Sequence, residues 1–309
     1  MTSIALLVPP ADVTTTAFAH AIRSELRTQE SDEFTCTLYH SDNTARLQEA
    51  LTQRKHAIII AYGPFCAQQA RDLVKENNSV AFVICGNIFA KKPAKDERLV
   101  NISTSLEGYT HKLFLIFPFM RMIRKALVLY DKTDPEMVML QEEFTQLLRK
   151  RADKEEVVTS YPLHKPLTRR DIMLLAEHHI VVVLSQHPRT TDIQRLARLC
   201  VEHKTILYMN ENNAVDYGAA LGVGLNDVEV GTMAAQCARH IASSSKKSIP
   251  STITLDCQLR INAHALSQQG LPMMRVAPLL SLIEATTMVA PTPQAKVAAY
   301  LRMEHIPLE

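Results

Sequence analysis

The sequence predicts an α/β protein of two Rossmann-like lobes with parallel sheets, and three observations predict it. Short β-branched runs alternate with longer amphipathic runs almost from end to end, which is the rhythm of strand–helix–strand units joined by right-handed crossovers. The runs AIIIAY, VAFVIC and IVVVLS are apolar without alternation, as strands covered on both faces have to be. Finally, ten or so strand candidates exceed what one twisted sheet ordinarily holds, so two sheets of about five are expected.

Strands are expected at Ser3–Pro9, Phe34–His40, Ala57–Gly63, Val80–Gly86 and Val100–Thr104, then at Ala126–Asp131, Val157–Leu163, Ile180–Gln186, Thr205–Asn210 and Ala219–Leu225. Helical patterns fill the intervals at Thr14–Thr28, Thr44–Arg54, Cys66–Glu76, Glu107–Arg124, Pro135–Arg151, Thr168–His178, Thr190–His203 and Val228–Ser243. Within Pro135–Arg151, Met137, Leu140, Phe144 and Leu147–Leu148 recur at helical spacing, with Glu142, Glu143 and Lys150 on other faces, giving one apolar stripe. Pro135 suits a first turn, where its missing N–H is no loss, and Asp134 suits the cap before it. The run Val228–Pro272, VEVGTMAAQCARHIASSSKKSIPSTITLDCQLRINAHALSQQGLP, reads as a helix, a basic polar turn, a strand and a second short helix closed by Gly270.

A break between lobes is expected at Glu107–Arg124, which ends in the apolar-basic run FPFMRMIRK, and again around Asn226–Val228, where Gly222, Gly224 and Asn226 loosen the chain. The N-terminal lobe then takes 1–116 plus about 229–254, the C-terminal lobe takes 117–228, and 255–275 form a return crossing. Residues 276–309, with Pro278, Pro291, Pro293, Pro307 and a short helical pattern near Gln294–Met303, form a C-terminal extension. A ligand cleft is expected between the lobes, because open α/β sheets hold ligands outside the carboxyl ends of their strands.

Composition narrows the function classes. With 47% hydrophobic and 21% charged residues, the chain reads as an ordinary soluble globular protein. A net charge of +2 does not support a nucleic-acid partner, which calls for a clustered basic excess. The basic stretches Arg121–Lys125 and Arg149–Lys154 fall in or beside helical patterns and read as solvated faces. No apolar run reaches the roughly 18 residues of a membrane span. The start MTSIALLVPP lacks a basic region and a long enough apolar stretch for a secretory signal. The protein is therefore expected to be periplasmic or extracytoplasmic if an export signal was removed, and cytoplasmic otherwise. Its six cysteines are widely spaced in apolar runs, the pattern of buried free thiols rather than a disulfide framework.

Three segments carry a family resemblance. DVEVGTMAAQCARHIASSSKKSIPSTITLDCQLRINAHALSQQGLP is similar to a Gly-led helix, a turn, Ile-Pro, a strand, an Asn-bearing strand end and a helix finishing in Gly-Leu. AIIIAYGPFCAQQA is similar to a third strand and its turn, and LVNISTS to a fifth strand. Together the chain resembles the substrate-binding proteins of ABC transporters with the type I periplasmic-binding-protein architecture, closest to the subfamily that includes tryptophan- and other aromatic-amino-acid-binding lipoproteins. The resemblance implies a solute-binding protein that captures a small polar ligand, an amino acid among the candidates, in the interlobe cleft by hinge closure. If the chain is exported, it implies an ABC permease as partner.

The candidate ligand contacts sit at strand ends. Gly63, Pro64, Phe65, Cys66 and Gln68 lie where a strand ends at Gly63 and a helix starts near Cys66, aiming backbone N–H groups at an anion. Ser103, Thr104 and Ser105 offer hydroxyls, and can also cap the helix near Glu107. On the second lobe, Gln186 and His187 follow one strand and Asn210 and Glu211 another, with Glu211 placed to pair with an ammonium. Tyr217 could stack on a ring or pack in a hinge. Pro9, Pro10 and Asp12 end the first strand.

The pairs Cys200/His203 and Cys237/His240 each supply two metal ligands at most, where a structural zinc wants four. No nucleotide-loop, zinc-protease, nucleophile-elbow or C-x-x-C motif is present. No catalytic residue, metal or cofactor is therefore expected. Two other readings stay open: a cytoplasmic ligand sensor of the same fold acting through a protein partner, and an α/β hydrolase or transferase.

Overall fold

The computed structural model describes residues 2–9, 13–27, 34–74, 80–87, 99–105, 108–109, 112, 125–151, 158–163, 168–185, 190–243 and 252–271. The chain divides into two compact units. One takes Met1–Ser105 and Asn226–Leu255; the other takes Leu106–Leu225 and resumes at Asp256.

The first unit holds strands β1 (Thr2–Val8), β2 (Phe34–His40), β3 (Ile58–Tyr62), β4 (Ala81–Asn87) and β5 (Leu99–Ser103), and helices α1 (Val13–Arg27), α2 (Ala45–Thr52) and α3 (Gly63–Val74). The second holds β6 (Ala126–Tyr130), β7 (Val158–Pro162), β8 (Ile180–Leu184), β9 (Ile206–Met209) and β10 (Leu221–Gly224), with α4 (Pro135–Arg151), α5 (Arg169–Ala176) and α6 (Thr190–His203). The chain then returns to the first unit for α7 (Asp227–Ser243) and β11 (Thr252–Thr254), and to the second for β12 (Gln258–Ile261) and α8 (Ala263–Gln268).

The first sheet runs β11-β5-β4-β3-β1-β2 and the second β12-β10-β9-β8-β6-β7. The internal order is the same in both, so each is a doubly wound sheet capped by a late-arriving sixth strand. Every described pairing is parallel except β10 with β12, which is antiparallel. The expected parallel sheets are therefore present, with one antiparallel strand at the edge of the second.

The apolar runs behave as strands covered on both faces. Ile58, Ile59, Ile60 and Ala61 are all buried. In the first unit, Ala5, Leu7, Ile59, Ala61 and Ile84 pack with Leu47 and Leu51 of α2 and Cys66, Ala67 and Ala70 of α3. In the second, Leu127, Leu129, Val181, Val183, Leu207 and Met209 pack with Leu175 of α5 and Ile193, Leu196 and Cys200 of α6. Alternate strand residues thus enter opposite layers, as the period of two requires. On the other face of the first sheet α1 packs on α7, where Gln236 donates to Glu25 at 3.1 Å and Arg239 lies 3.8 Å from the same carboxylate. The head of α5 is closed by a capping box: Thr168 N–H donates to Asp171 at 2.6 Å and Asp171 N–H to Thr168 Oγ1 at 3.3 Å.

Two boundaries differ from the sequence reading. The one strand expected between the basic turn and the last short helix is two strands, β11 and β12, in two sheets. Ile253, Leu255, Cys257 and Leu259 are all buried, so the alternation runs unbroken while the hydrogen-bonding partner changes. Second, α3 begins at Gly63 rather than near Cys66, because Gly63 takes φ +82, a left-handed conformation that turns the strand directly into the helix. Most of the Glu107–Arg124 pattern and all of the 276–309 extension lie outside the described residues.

His56, two residues ahead of β3, bonds side chains of two strands of the first unit, β1 and β2. Its Nδ1 lies 2.9 Å from Ser3 Oγ and its Nε2 2.7 Å from Tyr39 Oη. Burial, and then Lys55, hold its pKa below the ordinary 6.5. The folded state therefore favours neutral imidazole. As pH falls below about 6.5 the unfolded chain takes up this proton first, so stability present above that pH is lost as pH falls toward the folded value. Urea midpoints should drop between about pH 7 and pH 5, and His56→Gln should flatten that slope. An identical slope in the variant would assign the effect to another group.

Candidate functional site

In the first unit the candidate residues gather at the carboxyl ends of parallel strands. Tyr62 ends β3 and is buried; Gly63 follows with its turn, and Pro64 continues the backbone of α3. Phe65, in the first turn, is 63% exposed, a large aromatic ring facing solvent. Gln68 is exposed and donates to Asp72 at 3.1 Å, one turn along. Cys66 points the other way, into the core with no exposure. Burial pushes its thiol up to about 12, against a hydrogen bond with Ser41 that acts in the opposite direction. Desolvation thus outweighs the helix terminus, and the side chain is an unreactive core thiol. None of the six cysteines forms a disulfide; burial likewise pushes Cys200 and Cys237 up to about 12.

On neighbouring β5, Ser103 and Thr104 are buried and Ser105 is exposed. The Ser103 carbonyl accepts from Leu255 N–H at 2.8 Å, which fixes the end of β11 beside it.

The structure adds residues that the sequence reading passed over. The amino end of α7 meets the carboxyl end of β3, where the Tyr62 hydroxyl donates to the Asp227 carboxylate. Asn226 caps the helix, its Oδ1 accepting from Val228 N–H at 2.9 Å and Glu229 N–H at 3.2 Å. Asp227 and Glu229 are both buried, and the positive end of the helix dipole favours negative charge there. The signal is present as Asn-Asp-Val-Glu at the head of an apolar-periodic helix, a capping pattern, so Asn226 starts the helix as well as following the two glycines.

In the second unit, Asn210 and Glu211 follow β9 and Ser185 follows β8. Ser185 N–H donates to Asn210 Oδ1 at 2.9 Å. Glu211 is half-buried and stands in extended conformation, φ −130 and ψ 129, before a short 3-10 helix, Asn212–Tyr217. Tyr217 is half-buried and packs against the α6-side core. The adjacent Asp216 forms a two-pronged pair with Arg260, both contacts at 2.8 Å. Below this rim, the Tyr208 hydroxyl donates to Tyr109 at 2.8 Å, both rings fully buried. Desolvation holds the Tyr109 phenol well above its ordinary range, and the nearby Cys257 and Glu211 act in the same direction. Gln186 and His187 lie outside the described residues, as do Pro10 and Asp12.

Among the described residues no cluster of three or more His, Cys, Asp or Glu side chains could hold a metal ion, and no helix is long and apolar enough to cross a membrane.

No family model and no curated protein sequence matches the chain. Solved structures do. An ABC domain from Streptococcus pneumonia in complex with L-Trp is similar at a TM-score of 0.71 and 12% identity, over 89% of this chain and 97% of that one. An ABC transporter solute-binding protein from Bacillus halodurans with bound myo-inositol is similar at 0.61 and 13%, over 87% and 97%. The transcription regulator CcpA of Lactococcus lactis is similar at 0.60 and 13%, over 84% and 97%. At such identities the likeness establishes the fold: two α/β units of the type I periplasmic-binding-protein kind.

Proposed function

We propose that this protein is a solute-binding protein which captures a small zwitterionic solute of the amino-acid class, taking contacts from the carboxyl ends of both sheets and closing as it binds. The observation that carries this is the pair of acidic rims: Asp227 with Tyr62 in the first unit, and Glu211 in the second. Carboxylates at both strand-end rims suit a ligand ammonium. The ligand carboxylate would be met by the N–H groups opening α3 and the hydroxyls of Ser103, Thr104 and Ser105. Phe65 and Tyr217 would supply apolar walls, as would Gln186 and His187 a polar one. The L-Trp and myo-inositol held by proteins of like fold support a small polar ligand as the class. Closure requires more ligand contact in the shut form than in the open one. Delivery to an ABC permease is the transport reading. A sensor acting through a protein partner is the second reading, supported by the likeness to a transcription regulator.

A thermal-shift panel of the common amino acids, myo-inositol and D-allose tests this. A solute at about 100 times its Kd adds about 2.7 kcal/mol. Asp227→Asn should then weaken an amino-acid hit about tenfold or more, since a charge-assisted bond is lost, while leaving a polyol unaffected. If no solute shifts the transition, or if neither Asp227→Asn nor Glu211→Ala alters the best hit, the reading is wrong.

A further inference from the structure

We propose that Asn210 is a positioning residue, one that sets the geometry of the second unit's rim instead of touching the solute; the functional consequence rests on the binding role proposed above. Asn210 is only 5% exposed, and both ends of its carboxamide are directed into the protein. Its Oδ1 accepts from Ser185 N–H at 2.9 Å and its Nδ2 lies 3.4 Å from the Met137 sulfur. Its own N–H donates to Val183 O at 3.3 Å. One side chain therefore joins the ends of β8 and β9 to the first turn of α4. Two neighbouring residues depend on it. Ser185, fully buried, stands directly after β8 with its N–H held by Asn210, and Glu211 follows Asn210 in extended backbone. A side chain presented to solute would stand exposed; here the amide is buried, its oxygen and its nitrogen each holding one protein partner.

Two substitutions separate the roles. Asn210→Asp keeps an acceptor for Ser185 N–H, loses the weak donation to sulfur and buries a carboxyl group, which lowers global stability without removing that acceptor, whereas Asn210→Ala removes both contacts. Hydrogen exchange on the full-length, solute-free protein reads the effect locally. In Asn210→Ala the Ser185 amide is expected to exchange about tenfold faster, the loss of one buried hydrogen bond, while Asn210→Asp stays near wild type. Met137→Leu, which removes only the sulfur, should leave Ser185 protected, and it keeps the test decisive if Asn210→Ala fails to fold. Equal protection in wild type and Asn210→Ala overturns the proposal, as does exposure of Ser185 in Asn210→Asp equal to that in alanine. Titration with L-tryptophan supplies the functional arm: affinity lost in Asn210→Ala and recovered in Asn210→Asp supports positioning, and unchanged affinity in Asn210→Ala overturns it. If wild type binds no L-tryptophan, that failure belongs to the ligand reading, and the exchange data still decide Asn210.

Discussion

Replacing Gln269 with alanine is expected to cost the second unit about 3 kcal/mol of unfolding free energy, since each buried polar group left unpaired costs about 1–3 kcal/mol. Gln269 has no exposed surface. Its Oε1 accepts from Leu207 N–H at 2.7 Å and its Nε2 donates to Gly218 O at 3.0 Å. The side chain thus pins the segment after α8 to β9 and to the turn after the 3-10 helix. The more conspicuous Arg260–Asp216 pair nearby is 40% and 52% exposed, and such pairs contribute about 0–1 kcal/mol. The uncharged glutamine should therefore dominate. Gln269→Met separates the causes: it restores volume without hydrogen bonds and should remain destabilised. Urea unfolding that places Gln269→Ala within about 0.5 kcal/mol of wild type, the ordinary range for a neutral surface change, would refute the assignment.

Gly222→Ala is expected to be the second severe change, at about 2–3 kcal/mol, and the one that also disturbs the rim. A Cβ at position 222 would lie 2.5 Å from Glu211 O and 2.9 Å from Asn212 O. Both are backbone atoms, so no rotamer change relieves the contact; the Asn210–Asn212 corner has to move off β10. Calorimetry should show a lower Tm, and any solute bound through Glu211 should bind more weakly than the stability loss alone explains. A variant with wild-type Tm would mean that the corner yields freely. One with low Tm and unaltered affinity would detach Glu211 from binding.

The strands and helices were legible because their signals are local. Ile58–Tyr62 and Ile180–Leu184 are apolar on both faces, and Met137, Leu140 and Phe144 fall on one stripe of α4 and are buried. What escaped reading depends on partners distant in sequence. Ile253 to Leu259 alternates without interruption, so although a crossing is expected from 255, the period alone does not show that the strand ends there and a second one begins in another sheet. Tyr62 and Asp227 are 165 positions apart, and only the fold joins them. Cys66 was legible as a strand-end residue, yet which side of the helix it occupies depends on how α3 meets the sheet. Asn210 was legible as polar at a strand end, but its amide partners, Ser185 and Met137, come from two other elements.

The late return of α7 carries a consequence for biosynthesis. While the ribosome is still making the second unit, β1 to β5 of the first already exist without the helix that packs against α1 and without the strand that borders β5. Phe18 and Tyr62, whose rings lie 4.3 Å apart, are made long before Asp227. Such long-range closure slows folding and leaves apolar surface available to chaperones on the nascent chain.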